Sequence, residues 1–501
     1  MMTRLVTDYL DNSVEKYPNK VAFVDESREL TFHMLQQEAY HIANEFIAQQ
    51  FFKSPIAVFL DKSVECISSF MGVAYSGNFY TPLDTQMPIA RIEKIMKTLK
   101  PKVLLTDLAH EELAKEFAGD AELLVYEKLM KKSYDIEHIR NTVEKIIDTD
   151  VLYVLFTSGS TGDPKGVIVS HSAVISYTEW GTKAFNIDEK EKIGNQTPFY
   201  FSMSVLDIYQ TIRNGCSMYI IPKILFSFPI KLMSYLMEKK INMIYWVPSA
   251  LCIVANLKAL GKRDISCLKK ILFAGEVMPA KQLNMWKKEL PEALFANLFG
   301  PTEVTDICTY YVVDRELSDS EAIPIGKACW NMGILVLNEK NEAIKSNEMG
   351  ELCVRGISLA YGYYNNPQKT SEAFIQNPLN QAYPEIIYRT GDLVRHNEYG
   401  ELMYVSRKDF QIKHMGNRIE LGEIETVVSS IEGIDSNCCL YDEKKSKIVM
   451  FYTGQAEEHN IMKCIKSMLP EYMLPNKKVH LKMMPINLNG KIDRIQLKNM
   501  L

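Results

Sequence analysis

Apolar and polar positions follow two different spacings along the first part of the chain. Short β-branched and aliphatic runs at 56–60, 102–105, 151–156, 218–221 and 270–273 have the length and composition of buried strands. Between them, segments 32–50, 64–75 and 229–239 repeat apolar residues near every 3.6 positions, which predicts helices with one face on a core. Alternation of the two predicts an α/β wind of parallel strands over roughly the first 220 residues. Past about Pro324 the pattern changes to Gly-rich turns between short alternating strands, and past Asp409 to a compact α+β segment of roughly 90 residues.

Composition narrows the class. A chain of 501 residues exceeds one ordinary core, so several subdomains are expected. Its net charge of −5 offers no footprint for a polyanion, which argues against nucleic acid as a partner. Arg4 and Asp8 interrupt the N-terminus before any signal-like apolar region, and no later apolar run nears the roughly 20 residues of a membrane span. The ten cysteines show no CxxC spacing and read as reduced thiols. The expectation is a cytoplasmic protein with no membrane contact.

The strongest chemical signal is Thr157-Ser158-Gly159-Ser160-Thr161-Gly162-Asp163-Pro164-Lys165-Gly166, directly behind the apolar run 151–156. Its glycines let backbone amides approach an anion, its hydroxyls donate, and Lys165 adds charge, a set that suits a polyphosphate. The spacing is neither GxxxxGK[ST] nor GxGxxG. The plain alternative is a surface loop, which a buried strand and a Lys held behind Pro disfavour. Glu303, after Gly300-Pro301, is placed to hold Mg²⁺ against phosphate, and Phe299 offers a flat face to a purine; the alternative for Phe299 is a core aromatic. Asp392 can accept from a ribose diol or simply form a turn, Arg407 can pair with phosphate or stand exposed, and Lys491 reads by composition as a solvated lysine of an Asn-Gly turn.

The loop 157–166 resembles the signature of the acyl-adenylate-forming superfamily, the AMP-binding enzymes that include acyl-CoA synthetases, luciferases and nonribosomal peptide adenylation domains. The likeness continues in order through 71–84, 297–303, 388–393, 406–413, 416–425, 469–475 and 489–494. The wording of 273–279 and 407–413 is most similar to the D-alanine:carrier protein ligase branch. This resemblance implies an α/β fold: a large N-terminal part, 1–405, of α/β layers plus a distorted β-barrel, and a small mobile α+β domain, 406–501, with its hinge at Asp409. It implies ATP and Mg²⁺ as cofactors, with Lys491, Glu303 and Thr302 catalytic and Glu303 on the metal. Nucleotide binding falls to Thr157, Ser158, Gly159, Ser160, Thr161, Gly162, Lys165, Gly275, Glu276, Asn297, Phe299, Gly300, Asp392 and Arg407. The implied reaction joins an acid to AMP and then to a pantetheine thiol.

By the same resemblance the acid pocket is lined by Phe201, Ser202, Met203, Leu206, Tyr245, Leu272, Ala274, Leu298, Asp306 and Ile307, with Phe201 as a gate towards the thiol. Amino-acid-activating relatives carry Asp where this chain has Ser202, and that Asp pairs with the substrate's α-ammonium. An unpaired buried ammonium costs several kcal/mol, so the expected acid lacks a free α-amine: an aryl acid, an ω- or β-amino acid, or a hydroxy acid, with Asp306 receiving a polar group at its far end. A D-alanine or other amino acid:carrier protein ligase, an acyl-CoA synthetase and a catalytically silent sensor stay open as alternatives, and production of ADP without AMP would point to a phosphotransferase. The chain stops seven residues after Arg494 and holds no carrier attachment serine string, so the expected partner is a separate carrier protein with a phosphopantetheine arm, or CoA.

Overall fold

The computed structural model describes residues 3–159, 163–261, 264–345, 348–408, 411–486 and 492–501. Two large sheets dominate the N-terminal part. The first runs Glu122–Val125, Val103–Thr106, Pro55–Phe59, Phe79–Leu83, Val151–Thr157, Lys165–Ser170. The second has nine strands and is parallel from Leu294–Phe299 across to Val21–Val24. Antiparallel strands flank that run on both sides.

Both sheets are therefore mixed, which amends the all-parallel reading. The parallel wind extends to Phe299, and Val151–Thr157 pairs antiparallel with Lys165–Ser170. Residues 158–164 are too few for a crossover helix, which needs about a dozen, so the chain can only fold back as a hairpin. That places Ser158 and Gly159 at the end of one strand of the pair, beside the start of the other at Lys165.

The predicted helices form where the 3.6 spacing put them, as Phe32–Ala48, Val64–Tyr75 and Pro229–Lys239. Thr31 caps the first by accepting from the Met34 amide at 3.2 Å, and Lys240 ends the last in a left-handed conformation. Helix Val64–Tyr75 is buried nearly all round because it packs between strands Pro55–Phe59 and Phe79–Leu83 of the first sheet and the helices Val6–Lys16, Phe32–Ala48 and Ile136–Val143.

The segment expected as the distorted barrel forms a third, antiparallel sheet from Met332–Leu337, Gly350–Gly356, Ile386–His396, Phe374–Gln376 and Leu402–Arg407. Beyond it, a hairpin of Gln411–His414 and Asn417–Glu420 leads into helix Leu421–Ser429 and a three-stranded sheet. This last part buries its own apolar cluster around Ile424, Val428, Met450, Ile461 and Ile465. It meets the N-terminal part through a buried ion pair between Arg91 and Glu423. Among the described residues, no helix is long and apolar enough to cross a membrane.

Candidate active site

A cleft partly open to solvent lies at the carboxyl ends of the central strands and is roofed by the 411–420 hairpin. Ligands of open α/β sheets gather at such strand ends. Thr157 ends one strand there, and Ala274 and Gly275 follow Lys270–Phe273.

Next to Thr157, Ser158 is buried and its Oγ donates to the Arg418 carbonyl at 2.7 Å. Thr157 Oγ1 is buried with no partner among the described residues. A Cβ on Gly159 would lie 2.1 Å from the Asp163 carbonyl, so only glycine allows this close turn. Lys165, cross-strand from Thr157, sits 5.0 Å from the Tyr363 ring centre. Burial, then the charge of Arg418, lowers its ammonium to about 8 against the pull of Glu303. Ser160, Thr161 and Gly162 lie outside the described residues, as do Lys491 and Asp409.

Glu303 is fully buried in the short 3-10 turn Thr302–Val304. Tyr363 Oη donates to its Oε1 at 2.7 Å, and Arg418 Nη1 to its Oε2 at 2.6 Å. Burial opposes ionisation, yet Arg418 and Lys165 hold the carboxyl down at about 2. Thr305 then takes φ 74°, rare for a β-branched residue, and its Oγ1 donates to the Ser358 carbonyl at 2.8 Å. This strained reversal leads straight into Asp306.

Asp306 is 2% exposed and accepts from three hydroxyls. Tyr177 and Tyr245 donate to Oδ2 at 2.7 and 3.0 Å, and Ser202 donates to Oδ1 at 3.0 Å. Thr302 Oγ1 in turn reaches Ser202 Oγ at 3.3 Å. Burial raises the Asp306 carboxyl to about 6, because the hydroxyl hydrogen bonds only partly offset the lost hydration. The Asp306 side chain lies within one hydrogen bond of Ser202. Phe201, Met203, Ala274 and Ile307 line the same cleft, whereas Leu206, Tyr245, Leu272 and Leu298 pack behind it with at most 1% exposure.

Asp392 and Arg407 face each other across an antiparallel pair, with Arg407 Nη1 donating to Asp392 Oδ1 at 2.9 Å. Arg407 thus pairs with a carboxylate here. Phe299 stands under the Lys413 ammonium, 4.6 Å from its ring centre, and is mostly buried. Asn297 spends its amide on the Pro324 carbonyl at 2.8 Å. Glu276 accepts the Ser249 amide at 2.9 Å and the Gly416 amide at 3.1 Å, so in this arrangement it clamps the hairpin. Gly416 has φ 78°, and a Cβ there would run into Val247 at 2.4 Å, which is why the hairpin tip can close down beside Gly275.

Sequence reasoning had not singled out Arg418, Tyr472, Arg91, Tyr363 or Tyr177. Arg418 and Tyr472 stood inside motif segments, and Tyr472 meets Phe201 edge-on at 6.2 Å between ring centres. Tyr177 lies on helix His171–Ala184 among other core aromatics and carried no signal of its own.

The family model described as AMP-binding enzyme matches residues 10–364. Tyrocidine synthase 1 of Brevibacillus parabrevis is 30% identical over 490 residues, 97% of this chain; the chain spans only 44% of that relative. The D-alanine–D-alanyl carrier protein ligase of Bacillus licheniformis is 30% identical over 506 residues, 98% of this chain and 99% of that one. In fold, the chain matches the Vibrio cholerae adenylation domain AlmE, solved with glycyl-adenosine-5'-phosphate, at TM-score 0.85 and 20% identity, covering 100% of this chain and 98% of the other. The chain belongs to the AMP-binding enzyme family.

Proposed function

We propose that the protein activates a carboxylic acid with ATP as an acyl adenylate and passes the acyl group to a phosphopantetheine thiol, on a carrier protein or on CoA. The observation that carries this reading is one cleft that Thr157, Ser158, Asp392 and Arg407 line together with Ser202, Met203 and Asp306. A carboxylate oxygen attacks the α-phosphorus and pyrophosphate leaves; the thiol sulfur then attacks the acyl carbon and AMP leaves. The carrier partner also rests on the likeness to the Bacillus licheniformis D-alanine–D-alanyl carrier protein ligase.

Glu303 fits a magnesium ligand: it is a buried, ionised oxygen donor, and the unpartnered Thr157 hydroxyl and the tight Gly159 turn lie in the adjoining loop. Magnesium bound there would neutralise phosphate charge as pyrophosphate departs. Lys165, buried and ionised up to about pH 8, faces the same region and stabilises negative charge. Lys491 supplies a further positive charge by its motif. No enzyme base is needed, since the acid enters already ionised.

Residues 1–405 and 406–501 form two units in this reading. The arrangement described has Arg418 on Glu303 and the hairpin on Gly275, which suits thiol attack; in adenylation the second unit turns so that Arg418 yields Glu303 and Lys491 takes its place. The acid lacks an α-ammonium paired at position 202. Acid-dependent exchange of labelled pyrophosphate into ATP, screened over aryl, amino and hydroxy acids, tests the reading. Lys491→Ala is expected to abolish exchange and leave thioester formation from supplied acyl-AMP largely intact; equal loss of both overturns this division of labour.

A further inference from the structure

Two acceptors of the Asp306 cluster reach the cleft. Asp306 and Ser202 line it, whereas Tyr177 and Tyr245 stay behind and occupy Oδ2. Among the described residues, no Lys, Arg or His nitrogen lies at ion-pair distance from this carboxylate. Three neutral hydroxyls orient it without cancelling its charge, Lys413 acts on it only from beyond ion-pair distance, and a buried carboxylate without a direct cationic partner is costly. Ser202 is a hydroxyl rotor: it donates to Oδ1 here, but it can turn and accept. The complement of Oδ1 and a turned Oγ is a cation with several N–H donors, which a neutral hydroxyl or an aryl ring is not.

Position also selects. Oδ1 lies 3.0 Å from the Ser202 hydroxyl and belongs to a different element, so a cation seated on it is anchored from residue 306 and not by a carboxylate at position 202, where relatives would hold an α-ammonium. We propose that the pocket selects a carboxylic acid bearing a primary ammonium on a carbon beyond Cα, held by Asp306 Oδ1 and Ser202 Oγ. This rests on the acid-activation reading above and narrows its substrate class from aryl, amino or hydroxy acids to acids with a distal amine.

The test compares isosteric pairs in the pyrophosphate-exchange assay on the intact chain: 3-aminopropanoate with butanoate, 5-aminopentanoate with hexanoate, and 3-(aminomethyl)benzoate with 3-ethylbenzoate, alongside D- and L-alanine. At least one amine is expected to exceed its alkyl isostere ~100-fold or more in kcat/KM, because a site built to bond N–H groups rejects the analogue that lacks them. In Asp306→Asn that ratio is expected to fall below ~10, through KM more than kcat. The wild-type comparison decides even if the variant folds poorly. Alkyl members equal to or better than their amines would overturn the proposal while leaving acid activation standing. Alanine as the best substrate would overturn the placement beyond Cα. Absence of exchange with every acid would instead overturn the activation reading itself.

Discussion

At the scale of single residues, Asp306 is a carboxyl of the cleft whose protonation changes near neutrality. Its carboxyl is raised to about 6 by burial, so it is neutral below that value and charged above it. The phenols that face it, Tyr177 and Tyr245, are pushed far up by burial and stay protonated, and Lys413 acts on it from the hairpin. Asp207, which also feels Asp306, is raised to about 8 by burial and is mostly neutral at lower pH. The sign is then fixed: selectivity for an ammonium-bearing acid over its alkyl isostere should be low near pH 5 and climb through about 6 to a plateau by about 7.5. A flat ratio across pH 5 to 7.5, measured as kcat/KM in exchange, would mean that Asp306 does not receive the cation. Ser202 was legible in the sequence as a missing carboxylate. That Asp306 stands beside it was not, because their proximity depends on the φ 74° reversal at Thr305, which no local pattern marks.

At the scale of elements, helix Ile89–Leu99 binds the two parts together, by an ion pair to helix Leu421–Ser429 and by packing on helix Glu458–Met468. Arg91 and Glu423 are 4% and 1% exposed and form an ion pair in the interior of that contact. Removing one partner of a buried pair strands the other and costs about 3–5 kcal/mol, here charged against the arrangement that closes the hairpin over the cleft. Arg91→Ala is therefore expected to slow thioester formation ~10-fold or more and to leave pyrophosphate exchange within about threefold. Equal losses in both half-reactions would make the pair a fold-wide support with no bias between arrangements. The elements themselves were largely legible: apolar runs and 3.6 spacing located the helices Val64–Tyr75 and Pro229–Lys239 and the strand Lys270–Phe273. Sheet sense was less so, because antiparallel pairing at 151–170 follows from the length of the intervening loop and not from the apolar content of either strand.

At the scale of the whole molecule, motif order along the chain carried most of the functional information, since residues as distant as Ser158 and Arg418, or Glu303 and Arg418, meet only in the folded structure. The motifs pointed to a nucleotide and an acid in one cleft; the structure adds that the C-terminal part closes on Glu303 through an arginine. The central claim is that a carboxylate oxygen attacks the α-phosphorus of ATP and later leaves with AMP. The most direct measurement uses an accepted acid labelled with ¹⁸O in its carboxylate, incubated with ATP, Mg²⁺ and a phosphopantetheine thiol, with mass analysis of the phosphate products. The account predicts AMP carrying one ¹⁸O and unlabelled pyrophosphate. Label in inorganic phosphate with ADP as the nucleotide product would show attack at the γ-phosphorus and contradict it.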